Sequence, residues 1–140
     1  MSRALRTVIL IGALYLAIGL TFSALAGSAS SHKIQVVWRL LAYLVSAAVF
    51  SAHVAYEYLR LRSAPRIAAW HAAAAVALGA FGLAVAANLH ARFGPAATRH
   101  AIGVAIIAWP VLCGLPAFVV AFAATAVLSR IRPQRIEPLH

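Results

Sequence analysis

The sequence predicts an all-α integral membrane protein: four transmembrane helices in an antiparallel, up-down-up-down bundle, the fourth kinked by prolines. Three observations carry that expectation. Apolar stretches at residues 7–26, 36–58, 67–89 and 101–128 are each long enough to cross a hydrocarbon layer about 30 Å thick. The composition is 64% hydrophobic and 10% charged, with a mean hydropathy of +0.93, whereas a soluble domain carries about 25% charged residues. The links are short, which holds consecutive helices side by side in opposite directions. Because lipid offers the backbone no hydrogen-bond partner, each stretch must close its own N–H and C=O groups as a helix. The spans use up nearly all of the 140 residues, so a single domain, 1–140, is expected.

Span one follows Arg3 and Arg6 and ends at Gly27-Ser28-Ala29-Ser30-Ser31, residues that favour a turn. The basic start, the apolar run and Ala24-Leu25-Ala26 together have the form of a secretory signal with a small-residue cleavage site. At about 20 residues the run exceeds the usual 7–15-residue signal core, so an uncleaved helix is expected.

Span two carries the polar chemistry. Arg39, Tyr43, Ser46, Phe50, His53, Glu57 and Arg60 recur at steps of three and four, which places them on one helix face, with Leu41, Leu44, Ala48 and Ala55 opposite. An ionisable group at mid-bilayer costs at least about 2.5–3.5 kcal/mol. The stripe should therefore point into the bundle, a partner or a water-filled cleft. Glu57 lies one turn after His53, within reach of a hydrogen bond, and Arg60 and Arg62 are further candidates to pair with it.

Ser63-Ala64-Pro65 separates spans two and three. Span three is rich in Ala and Gly, and Ala75, Gly79, Gly82 and Ala86 are spaced to let another helix backbone approach closely. It should be the most buried helix, with the small residues packing inside one bundle or against a second chain. Gly12, Leu16 and Gly19 give span one a looser version of the pattern. Phe93-Gly94-Pro95 breaks the chain before span four, where Pro110, Gly114 and Pro116 predict a kink or a local break. Trp38 and Trp70 read as interface anchors, and Trp109 as a residue packed between helices.

The net charge of +10 would point to nucleic acid in a soluble chain, but these basic residues sit at span ends, where they mark orientation. Arg3, Arg6, Arg60, Arg62, Arg66, Arg130, Arg132 and Arg135 fall on one side of a four-span arrangement; Lys33, Arg39, Arg92 and Arg99 fall on the other. The positive-inside rule then puts both termini in the cytoplasm, with the basic face against anionic lipid of a bacterial-type inner membrane. No nucleic-acid partner is needed. The one cysteine, Cys113, lies within span four, so no disulfide forms inside one chain.

Counted along helices at 1.5 Å per residue, His53 and His71 lie about 6–8 Å inside the same membrane border on neighbouring spans. Two imidazoles at equal depth are candidate axial ligands of a b-type haem, with Arg60, Arg62 and Arg66 placed for its propionates; metal binding with Glu57 or proton transfer are the other uses. A closed zinc site wants four ligands, and only three are at hand. His32, His90 and His100 lie among basic loop residues that repel a cation.

There is no phosphate-binding glycine loop, no paired carboxylates, no cysteine pair and no nucleophile–base constellation, and the only acids are Glu57 and Glu137. No catalytic residue is assigned. The leading expectation is a non-enzymatic bundle, an accessory or anchoring subunit or a self-associating homo-oligomer. The alternatives are a haem electron carrier using His53 and His71, and a small channel or transporter lined by the stripe from Arg39 to Glu57.

Overall fold

The computed structural model describes residues 3–92 and 99–131, in the helices α1 (Arg3–Gly27), α2 (His32–Leu59), α3 (Pro65–Arg92) and α4 (Arg99–Ile131). All four are long and apolar enough to cross a membrane, and no strand occurs among the described residues. Phe93-Gly94-Pro95, Arg132, Arg135 and Glu137 lie outside those residues.

Each helix runs past the hydrocarbon length its sequence predicts, because local signals and not the apolar border end it. Ser31, in extended backbone at φ −146 and ψ 155, accepts from the Ile34 N–H at 3.4 Å and so caps α2. Pro65 opens α3 at a position where a missing N–H leaves nothing unpaired. The Ile67 and Ala68 N–H groups return to the Ala64 carbonyl. Between the two helices Arg62 takes φ 50, a left-handed conformation that turns the chain within a few residues.

The helix α3 is the centre of the assembly, packed against α4 on one side and α1 on the other. Its buried positions include Ala68, Ala69, Ala72, Ala75, Gly79 and Ala84, small enough that neighbouring backbones come close. A Cβ at Gly79 would lie 2.5 Å from the Tyr15 Cβ and 3.2 Å from the Gly12 carbonyl. Gly12 in turn meets Leu78, Gly19 meets Leu83, and Gly82 meets Leu16. Ala75 and Gly79 are buried, Gly82 and Ala86 half-buried. The glycines of this face therefore meet α1 of the same chain.

On the other side, Gly114 of α4 sits over Ala73 and Ala77, the Trp70 and Phe118 rings lie 5.0 Å apart, and Val54, Ala69, Ala72 and Ala121 form a small core with Phe50 and Phe118 against it. The predicted local break in span four does not form. Pro110 and Pro116 lie inside α4, which continues through both as one helix of 33 residues. Neighbouring turns and a packed helix keep a helix going past a proline in a way an isolated segment does not. Trp109 is half-exposed, at 51%, and not packed between helices as predicted. The α4 positions that meet α3 step through Gly114, Phe118, Ala121 and Thr125, and Trp109 falls off that face.

The helix α2 is peripheral. It packs along α1, where Phe22 and Trp38 lie 6.2 Å apart, and touches α3 and α4 sparingly. None of its most apolar 18-residue window is buried. Its buried residues, His53, Val54, Glu57 and Tyr58, all belong to the end that leads into α3.

Candidate functional site: a carboxylate between two imidazoles

Helical periodicity puts His53 and Glu57 on one face of α2, and the short link returns the chain so that the first turns of α3 bring His71 to the same place. Glu57 is fully buried, with 0% exposure. Its Oε2 accepts from His71 Nδ1 at 3.1 Å and from the Ser63 hydroxyl at 3.1 Å, and the Ser63 N–H donates to the Glu57 backbone carbonyl. One link residue thus holds both the end of α2 and its carboxylate. With an acceptor-only carboxylate opposite it, His71 carries its proton on Nδ1.

His53 is 3% exposed. Its Nε2 lies 3.8 Å from Glu57 Oε1, too far for the hydrogen bond the i, i+4 spacing predicts. Neither ring nitrogen of His53 nor Glu57 Oε1 has a hydrogen-bond partner among the described residues. Arg60 and Arg62, expected within reach of Glu57, make no ion pair with it and are exposed, as is Arg66. The hydrogen bonds to this carboxylate therefore fall on one oxygen, from His71 and Ser63. Among the described residues no group of three or more His, Cys, Asp and Glu is placed to hold a metal ion.

These positions do not fit a porphyrin held between His53 and His71. The two imidazoles approach opposite oxygens of one buried carboxylate, so glutamate occupies the space a haem plane would need. A cleft of about 480 Å³ lies beside the pair, but its walls come from α1 and α2 and include His53 without His71. The stripe likewise divides. His53 and Glu57 are buried, Ser46 and Phe50 half-buried, while Arg39 is exposed and Tyr43 is 75% exposed. Only His53 of the stripe lines the α1–α2 cleft, so the stripe does not line one continuous path within the chain.

Ser63 and Thr125 were not legible as partners in advance. Thr125, buried in α4, donates to the Ala121 carbonyl at 2.8 Å and approaches the Pro65 carbonyl at 3.4 Å, tying α4 to the start of α3. Its signal in the sequence is a lone hydroxyl in an apolar run, which reads equally well as lipid-facing. On the far side, His32 and His90 are exposed; the side chain of His100 lies outside the described residues. No family model matches the chain, and no curated protein or solved structure is found to resemble it.

Proposed function

We propose that this chain is a small non-enzymatic integral membrane protein of a bacterial-type inner membrane, serving as an accessory or anchoring subunit or associating with copies of itself. The observation that carries the reading is the open Arg39–Tyr43 face in the N-terminal half of α2. Arg39 and Tyr43 share a helix face there, both are exposed, and no residue of the most apolar α2 window is buried. Arg39 forms no ion pair among the described residues. An arginine near a span end can reach headgroups along its own stem. Tyr43 lies one turn deeper on a shorter side chain, and in hydrocarbon its hydroxyl lacks water as a partner. A second chain against this face supplies partners for both and turns the stripe away from lipid.

The α3 glycine face is used within the chain, so the contact belongs to α2. Contact pairs support an antiparallel bundle. Phe22 meets Trp38 across the α1–α2 turn. Gly12 and Gly19 meet Leu78 and Leu83 in the same order along α1 and α3. Trp70 meets Phe118 and Pro65 meets Thr125 in reverse order along α3 and α4. Two lost backbone bonds at Pro110 and Pro116 give α4 a bend. With exposed Arg6, Arg60, Arg62, Arg66 and Arg130 at one end, the positive-inside rule places both termini in the cytoplasm.

The test is particle mass in a mild detergent. Two or more copies, or one copy with a stoichiometric second protein, are expected, and R39A/Y43A should reduce the particle to a single chain. A wild-type particle containing one copy and nothing else refutes the reading.

A further inference from the structure

The seam between α3 and α4 is floored by small residues and rimmed by large ones. Gly114 lies so close to α3 that an added Cβ would stand 3.2 Å from the Ala77 Cβ, while Trp70, Val111 and Leu115 are exposed beside it. Together with Ala73, Ala74 and Phe118 they line an apolar groove of about 530 Å³, within the usual range for small-molecule sites, about 300–1,000 Å³. From Trp70 to Ala77 it follows α3 for about 10 Å, at 1.5 Å per residue. That length fits inside one leaflet of a hydrocarbon layer about 30 Å thick. Because its rim is exposed, the groove opens to acyl chains.

Arg66 stands at one end of this groove. It lies one turn before Trp70, and at about 100° per residue it falls within about 40° of Trp70, Ala73 and Ala77 around α3. Its side chain is exposed and forms no ion pair among the described residues. The acid nearest to it in the sequence, Glu57, is fully buried and held by His71 and Ser63. Arg66 is also the second residue of α3, so the positive end of the helix dipole adds to its charge.

We propose that this groove binds a phospholipid with an anionic headgroup, one acyl chain lying between α3 and α4 and the phosphate paired with Arg66. The groove alone does not select, since every phospholipid offers it the same tail. The arginine selects. A guanidinium keeps its charge at any working pH and pairs with phosphate oxygens through two parallel N–H groups. Phosphatidylcholine carries a phosphate too, but its own cation competes for that charge, and phosphatidylglycerol has none. One basic residue near the surface favours an anionic lipid by about fivefold. The inference does not depend on the proposed association, since the groove lies between α3 and α4 and the Arg39–Tyr43 face is on α2.

Trp70 reports on its own groove. In the full chain with Trp38→Phe and Trp109→Phe it is the only tryptophan left of three, and a brominated acyl chain quenches an indole it touches. The chain is placed in vesicles of unbrominated phosphatidylcholine, and tail-brominated phosphatidylglycerol or tail-brominated phosphatidylcholine is titrated in. Phosphatidylglycerol should quench Trp70 with an apparent affinity at least fivefold above that of phosphatidylcholine. Arg66→Gln should bring the two within about twofold. Arg130→Gln removes the same charge from an exposed site at the same end, about 160° around α4 from Gly114, and should leave the preference intact. Ala74→Phe, which fills the groove from an exposed position, should weaken quenching by phosphatidylglycerol at least fivefold. Equal quenching by the two lipids in the chain that keeps Arg66 overturns the proposal. So does an equal loss of preference in Arg66→Gln and Arg130→Gln, which would mean a diffuse surface charge, and so does the absence of quenching by either lipid, which would mean that protein covers the groove.

Discussion

Replacing Gly79 by alanine tests the close approach of α1 and α3 at the centre of the bundle. The added Cβ would lie 2.5 Å from the Cβ of Tyr15, an atom fixed directly to the α1 backbone, and 3.2 Å from the Gly12 carbonyl. No rotamer change relieves either contact. To restore ordinary van der Waals distance the two helices must separate by about 1 Å, and overpacking of that kind costs about 1–3 kcal/mol. At 1.4 kcal/mol per decade, this is roughly a 5- to 150-fold fall in the folding equilibrium constant. Gly27→Ala is the matched control, because a Cβ there meets nothing within 4 Å. Unfolding in mild detergent titrated with dodecyl sulfate, followed by circular dichroism, reads both. A Gly79→Ala midpoint equal to those of Gly27→Ala and the wild type refutes the packing argument.

Glu57→Ala removes the acceptor of His71 and Ser63; because the His71 side chain is 27% exposed and can rehydrate, the loss should be about 1–3 kcal/mol, below the 3–5 kcal/mol of a fully buried pair. Glu57→Gln retains an oxygen acceptor and should lose less than half as much in the same titration; the reverse ranking would show that the two hydrogen bonds do not hold the α2–α3 turn. Thr125→Val should cost about 0.6 kcal/mol, the usual worth of an interhelical hydrogen bond in a membrane, and a loss above 2 kcal/mol would mean that the hydroxyl does more than tie α4 to Pro65. Protein purified from haem-replete cells should show no Soret band, and a band abolished by both His53→Ala and His71→Ala would overturn the argument that Glu57 fills the space between the imidazoles.

Length and apolarity made the four helices legible, since a span of about 20 apolar residues has few structural choices in lipid. Central placement of α3 was legible too, because an Ala- and Gly-rich helix gains from close neighbours on more than one side. Periodicity put His53 and Glu57 on one face but could not say which of two imidazoles the carboxylate would meet. That choice depends on how the link returns the chain, through Arg62 at φ 50 and Ser63 against the end of α2. The stripe misled for a related reason. A helical face computed from spacing is continuous from Arg39 to Glu57, yet only its end near α3 is buried while Arg39 and Tyr43 are exposed, and sequence spacing along one helix carries no information about how far its neighbours extend. Trp109 shows the same limit, its depth readable and its azimuth relative to α3 not.

The proposed function requires another protein to cover the Arg39–Tyr43 face of α2. Its most direct test replaces Tyr43 with a photo-crosslinking amino acid in intact membranes, with Leu115 on α4, 65% exposed, as the control position. Irradiation should join position 43 to a protein, either a second copy or a distinct subunit, in a yield well above that at position 115. Equal yields at the two positions, or adducts with lipid alone at position 43, would contradict it.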